Sequence, residues 1–238
     1  MVASYREYAS PAGLSDVVAC LWENDVVRDR PQLVIPDGCV DLVWFGDEGL
    51  TIVGADTGPH TIDPLGSTVA GIRLRPGAAG SVLGVPASEV RDQRVDLSLV
   101  WGTDAAATSE LMADASPSRR LALLTREVLR RHAAPDPLVV AAAGALSRPS
   151  ARVGAVAEDL GVSERHLRRR TLTAIGYGPK TLARVARLRR LIALEGEELA
   201  VRAVLAGYAS QAHMTEEVRR LTGSTPVRFL KDAALTAA

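Results

Sequence analysis

The chain has 238 residues, 47% of them apolar and 24% charged, with 28 basic side chains balanced by 28 acidic ones. That length suits one large domain or two smaller ones, each able to bury its own core. No apolar run approaches the roughly 20 residues of a membrane helix, the start lacks the basic-then-apolar pattern of a secretion signal, and two cysteines are too few for a disulfide scaffold, so a soluble cytoplasmic protein is expected.

Residues 1–102 alternate short apolar runs with Gly, Pro and Asp. Leu33 to Ile35, the turn Pro36-Asp37-Gly38, and Val40 to Phe45 read as strand, turn, strand, since Asp-Gly supplies hairpin geometry. Leu50 to Val53 and Thr68 to Leu74 are further strands by their β-branched content. Pro76 to Gly84 reads as a short helix with Pro at its start and Gly at its stop. This region is expected to be α+β or mostly β.

Two groups of residues here could serve a site. Asp37, Cys39 and Asp41 alternate around the turn, and with His60 they offer metal-ligand types, although not at the spacing of a His/Cys metal site. The plainer reading is better: Asp37 and Gly38 make the turn, Cys39 packs, and Asp41 pairs with Arg73 or Arg75. Trp22, Trp44 and Trp101 could line a small-molecule pocket or simply fill the core. Trp22, Asp37, Cys39, Asp41, Trp44 and Arg73 are therefore the candidate ligand contacts. An alternative makes Cys39 a nucleophile for alkyl transfer or repair, or a redox sensor, which would need a lowered pKa and exposure.

Residues 103–135 turn helical, with Leu111, Met112, Leu121, Leu124, Val128 and Leu129 at three- and four-residue spacing around Ser116-Pro117. This segment could join two domains or dimerise, and Ala133 to Pro137 looks like a hinge.

From 136 to 231 all periodicity is helical. The charge also divides here. Residues 1–135 hold 12 arginines, no lysine and 18 acids, a net of −6, whereas 136–231 hold 16 basic and 9 acidic residues, a net of +7. Nine basic residues and no acid lie between Arg165 and Arg190. Such a division points to a polyanion partner for the basic part. Val153, Val156, Ala157 and Leu160 make one helical stripe, Gly161 can end that helix, and Ser163 can cap the next, Glu164 to Thr171. Leu167 then faces inward while Arg165, His166, Arg168 and Arg169 project outward, which is the helix-turn-helix plan. Arginine can read guanine by two hydrogen bonds, and other cations neutralise phosphates.

A long helix follows from about Pro179 to Leu194. Leu182, Val185, Ala186, Leu188 and Ile192 face inward, and Arg184, Arg187, Arg189 and Arg190 lie on the other face, near a DNA backbone. A second, similar pattern runs Gly207-Tyr208-Ala209-Ser210-Gln211-Ala212-His213-Met214-Thr215, with Ser210 as cap.

Ala157, Gly161-Val162-Ser163, Leu167-Arg168-Arg169, Gly176-Tyr177-Gly178-Pro179-Lys180, Gly207-Tyr208, Gln211-Ala212-His213, Leu221-Thr222-Gly223 and Pro226 together resemble the paired helix-turn-helix domain of the AraC/XylS transcription regulators. The resemblance covers about a third of the chain, from roughly 150 to 231. It implies seven helices with two recognition helices in successive major grooves. It also implies base contacts from Arg165, Arg168 and Arg169, then Gln211, Ala212 and Thr215. Ser163, His166, Lys180, Arg184, Arg187 and Ser210 complete the candidate DNA contacts. Tyr5-Arg6-Glu7-Tyr8, Pro36 to Leu42, Arg73 to Gly77 and Gly84-Val85-Pro86 resemble a sensor-like domain that precedes such domains, with no defined ligand.

Departures fall mostly in the second unit. Arg202 stands where a buried Leu or Ile is usual and must snorkel or find an acid. Glu216 stands where a basic residue is common, and Thr171 and Val218 stand where Phe is usual. The expected whole is a ligand-responsive regulator with no catalytic residues, no cofactor and no metal. Its partners would be double-stranded DNA, a small-molecule effector, a second copy of the chain and, if it activates, RNA polymerase.

Overall fold

The computed structural model describes residues 4–25, 32–62 and 68–231. Six strands form one antiparallel sheet: β1 (Ser4–Ala9), β2 (Val18–Asp25), β4 (Val40–Trp44), β5 (Leu50–Val53), β7 (Thr68–Leu74) and β8 (Arg94–Asp96). Their order is β1-β2-β7-β4-β5-β8, and β3 (Gln32–Val34) pairs separately with β6 (His60–Ile62). The Pro36-Asp37-Gly38 turn therefore does not close a hairpin. Asp37 still makes a local turn, its Oδ1 accepting the Cys39 N–H at 2.8 Å, but the chain leaves the small ribbon there and enters the large sheet, where β4 lies between β7 and β5. The signal was local, and the partner of each strand was set by long-range packing.

Both faces of the sheet are apolar at its centre. Val40, Leu42 and Trp44 enter the main core with Ile52, Ile72 and Leu74, while Val43, Phe45 and Val69 form a smaller cluster on the other face. Three short helices follow the sheet or flank it: α1 (Ala79–Leu83), closed by the left-handed Gly84 as expected, α2 (Ser98–Trp101) and α3 (Thr103–Ala113). The next helix, α4 (Pro117–Arg131), has Pro at its first turn and buries Leu121, Leu124 and Val128, with Leu129 outward. Arg120 lies 3.9 Å above the Trp44 ring and Arg131 lies 4.3 Å above Trp101. The helical segment thus covers the sheet rather than bridging two free bodies.

Seven helices make up residues 136–231: α5 (Pro137–Leu146), α6 (Val153–Asp159), α7 (Glu164–Ile175), α8 (Pro179–Ala193), α9 (Leu199–Leu205), α10 (Gln211–Thr222) and α11 (Pro226–Lys231). Their buried side chains are continuous with those of the sheet in one cluster. The expected hinge is pinned: the Ala133 N–H donates to Ser81 O at 3.0 Å. Asp136 caps α5 through Leu138 N–H and accepts from Arg170 Nε at 2.6 Å.

Gly176 is central to this seam. Its φ of +93° ends α7 in the left-handed region, and a Cβ there would lie 3.2 Å from Ala87 O and 3.4 Å from the Ala55 side chain. Arg91 Nη1 donates to Gly176 O at 3.2 Å.

Asp56, beside Ala55 in this seam, has its carboxyl pushed up to about 7 by burial and by the charges of Asp92, Asp37 and Asp41. An acid held this way binds its proton more tightly folded than unfolded. Its contribution to stability is therefore fully present below about pH 4 and is lost as pH rises to about 7. The Asp56→Asn protein should melt about 2–4 °C above the parent at pH 8, the shift for roughly 1 kcal/mol, and level with it at pH 4. Thermal melts at the two pH values check this.

Candidate DNA interface

The two helix-turn-helix units are built from the same parts. In the first, α6 buries Val156 and Ala157, Gly161 turns the chain at φ +66°, and Ser163 Oγ accepts the His166 N–H at 3.2 Å. In the second, Ala203 is buried in α9, Gly207 turns the chain at φ +89°, and Ser210 Oγ accepts the His213 N–H at 3.1 Å. Leu167 and Met214, each four residues beyond its cap, are fully buried. Gly176 and Gly223 end both recognition helices in left-handed geometry.

The nine basic residues between Arg165 and Arg190 separate into two sets. Arg165, Arg168, Arg169 and Lys180 are exposed, as is Arg189, and none has a hydrogen bond or ion pair among the described residues. The other four are held internally. Arg170 pairs with Asp136. Arg187 donates to Glu217 Oε2 at 2.8 and 3.1 Å and to Oε1 at 3.0 Å, and Arg184 Nε donates to Glu217 Oε1 at 3.1 Å. Arg190 donates to Ser147 O at 3.0 Å, to Arg148 O at 3.1 Å and to Ala206 O. Arg184 and Arg187 therefore lie on α8 as expected, but their guanidiniums serve a buried carboxylate that joins α8 to α10.

Arg165 and Arg168 share a groove of about 590 Å³ with Lys180, at the N-terminus of α8. The positive end of that helix and three cations outweigh the one carboxylate in the lining, Glu164, which favours an anion. Arg169, also exposed, borders a second groove of about 490 Å³ that Gly80, Ser81 and Pro86 of the sheet half line as well. The sheet half thus stands directly beside the first recognition helix.

The second unit presents a less basic front. Gln211, Ala212 and Glu216 are exposed, and the Thr215 hydroxyl donates back to Gln211 O at 2.9 Å. Arg202 is half-buried and has no acid within ion-pair distance among the described residues. Its Nη2 donates to Leu191 O at 2.5 Å, near the C-terminal end of α8, where carbonyls lack helical partners. Thr171 is fully buried and satisfies its hydroxyl on Leu167 O at 2.9 Å, and Val218 is also fully buried. Both therefore occupy core positions.

Sequence reading missed Glu217, the acid on which three side chains converge. His213 Nε2 lies 3.3 Å from its Oε1, and Nδ1 of the same ring accepts the Ala209 N–H at 3.2 Å. Only the His213–Glu217 spacing was available as a signal; the arginines come from another helix.

The sensor-side candidates are only partly gathered. Asp37, Cys39 and Arg73 line one cavity, and Asp41 sits behind, accepting from Arg73 Nε and Nη2 at 3.1 Å each. Trp22 instead packs over Gly71 and beside Tyr5, and Trp44 is buried under Arg120. His60 pairs with Asp56 rather than with the acids of the turn. The nucleophilic role for Cys39, which is buried, is not favoured. Burial pushes its thiol well above the usual range and the nearby Asp37 adds to this; burial also pushes Cys20 up to about 11.

An α-helical part with two capped helix-turn-helix units and unpaired arginines on the first recognition helix defines a DNA-binding protein of the helix-turn-helix class. Residues 156–232 match the family described as "Helix-turn-helix domain", and residues 6–96 match a "Domain of unknown function (DUF6597)". The chain thus carries an AraC-type DNA-binding domain behind an N-terminal domain whose family has no assigned role.

No curated protein matches the chain. Solved structures similar to it include apo ToxT from Vibrio cholerae, at 11% identity and a TM-score of 0.47 over 91% of this chain and 97% of that one. Another is ToxT from the same organism bound to an unsaturated fatty acid, at 11% identity and a TM-score of 0.46 over 93% and 96%.

Proposed function

We propose that the chain is a cytoplasmic, sequence-specific transcription regulator without catalytic activity, whose DNA affinity is set by a small molecule bound to its sheet half. The observation that carries this reading is the sorting of the arginines. Those that fold the domain are paired, and those on the outer face of the first recognition helix are left for a partner with guanine edges and phosphates. Arg165, Arg168 and Arg169 read bases, and Lys180 holds a phosphate. Gln211, Ala212 and Thr215 contribute weaker contacts from the second unit. Ser163 and Ser210 act as helix caps that position their neighbours. Action as a homodimer and contact with RNA polymerase belong to this reading as its consequences.

A selection from fragmented genomic DNA with the purified chain, read by sequencing, tests it. One enriched motif is expected, with affinity falling about 10³–10⁵-fold between 50 and 200 mM salt if six or more phosphates are contacted. Recovery of unrelated fragments in proportion to their abundance would remove sequence specificity from the reading.

A further inference from the structure

Between the sheet and α8 lies a cavity of about 280 Å³. Its sheet side is built from the 35–39 loop and the end of β7, and its other side from Arg189 and Ile192 of α8. Its charges are not matched locally. Three carboxylates crowd one guanidinium: Arg73 bonds to Asp41 and lies 3.6 Å from Asp37 and 3.8 Å from Glu7. Arg75 donates to Ser15 O at 2.8 Å but has no carboxylate within ion-pair distance among the described residues, and neither does Arg189. Arg73 and Asp37 thus lie on the inner side of the cavity, and Glu7, Arg75 and Arg189 are exposed at its edge.

A second feature points the same way. Tyr177, from the turn between the first recognition helix and α8, is 2% exposed, and its hydroxyl has no hydrogen-bond partner. A Cβ on Gly38 would lie 3.0 Å from that hydroxyl and 3.2 Å from Pro76 Cγ, and Gly38 sits between Asp37 and Cys39, which line the cavity with Pro76. A buried hydroxyl without a partner is costly and uncommon in a finished core.

We propose that this cavity binds a small zwitterion of the amino-acid class, its ammonium group held by Asp37 and Glu7 and its carboxylate by Arg75 and Arg189. The volume falls just under the range of sites for drug-sized ligands and suits a smaller molecule of this kind, and Ile35 and Ile192 offer apolar wall to its side chain. Because one wall belongs to α8, the bound molecule ties the sheet to the DNA-binding half. That regulatory consequence rests on the function proposed above; the binding site itself does not.

The test is calorimetry and thermal shift on the full chain without DNA, using each of the twenty common amino acids at millimolar concentration. Acetate, methylamine and palmitate serve as comparisons. At least one amino acid should give saturable heat and a raised melting temperature, and the three comparisons should bind at least about tenfold more weakly or not at all. Arg189→Gln and Arg75→Gln, both at exposed positions, should each lower the affinity about tenfold without changing the melting temperature of the free protein. Binding by none of the twenty, equal binding by acetate or palmitate, or equal affinity in both variants would overturn the site. A bound amino acid that leaves DNA affinity unchanged would count against the regulatory reading and leave the site standing.

Discussion

Glu217→Ala is expected to destabilise the chain by about 3–5 kcal/mol, the largest effect of any single substitution considered. The Glu217 carboxylate is buried, and three donors converge on it from two helices: Arg187 through two nitrogens, Arg184 through one, and the His213 ring. Truncation leaves Arg187, whose side chain is 15% exposed, buried against the Tyr208 ring 5.6 Å away with no counter-charge. Uncompensated burial makes the cost much larger than that of an exposed pair, about 0–1 kcal/mol. The melting temperature should fall by at least about 6 °C. Glu217→Gln, which keeps the shape and loses the charge, should fall between the two proteins. A loss under about 1 kcal/mol in urea unfolding of the alanine variant would show that the cluster behaves as a surface pair.

Arg168→Ala is expected to cost about 1–3 kcal/mol of binding to the selected site, a loss of roughly 5- to 150-fold, and to relax preference at one base position. The same substitution should leave stability nearly unchanged, because the Arg168 side chain is exposed and makes no ion pair among the described residues. Lys180→Ala should behave differently. It should weaken all sequences about equally and reduce the slope of log affinity against log salt by about one. Titrations of the selected site and of a scrambled duplex at several salt concentrations separate these outcomes. If Arg168→Ala weakened both duplexes equally, Arg168 would be a phosphate contact and the base-reading assignment would move to Arg165 and Arg169.

The parts of this molecule written locally were legible. Both caps, the glycine turns and the inward Leu167 and Met214 follow from nearest-neighbour chemistry, and each stands where the pattern places it. The sheet was less legible. β1, β2, β6 and β8 carry weak alternation, and the Asp-Gly turn suggested a pairing of β3 with β4 that the chain does not make. Strand partners depend on which distant apolar faces meet, and a window of a few residues contains no information about that. The arginines show the same limit at side-chain scale. Nothing near Arg184 or Arg187 announces Glu217, more than two dozen positions later, so a run of nine cations looked uniform when four of them are structural. The misfit Arg202 was recognisable, but its solution was not, because the acceptor is a backbone oxygen of another helix.

The continuous packing through Ala55, Ala87, Val139 and Ile175 has a consequence for how such regulators can be rearranged. Two families divide the sequence neatly at either side of the linking helices, as though each half could be exchanged. In space the first recognition helix ends against the sheet half, with Gly176 pressed on Ala87 and Arg91 bonded to its carbonyl. A chimera that places this DNA-binding half behind a foreign sensor would strip the wall from α7 while leaving α10 largely clothed. The unit proposed to supply the stronger DNA contacts is therefore the less portable of the two.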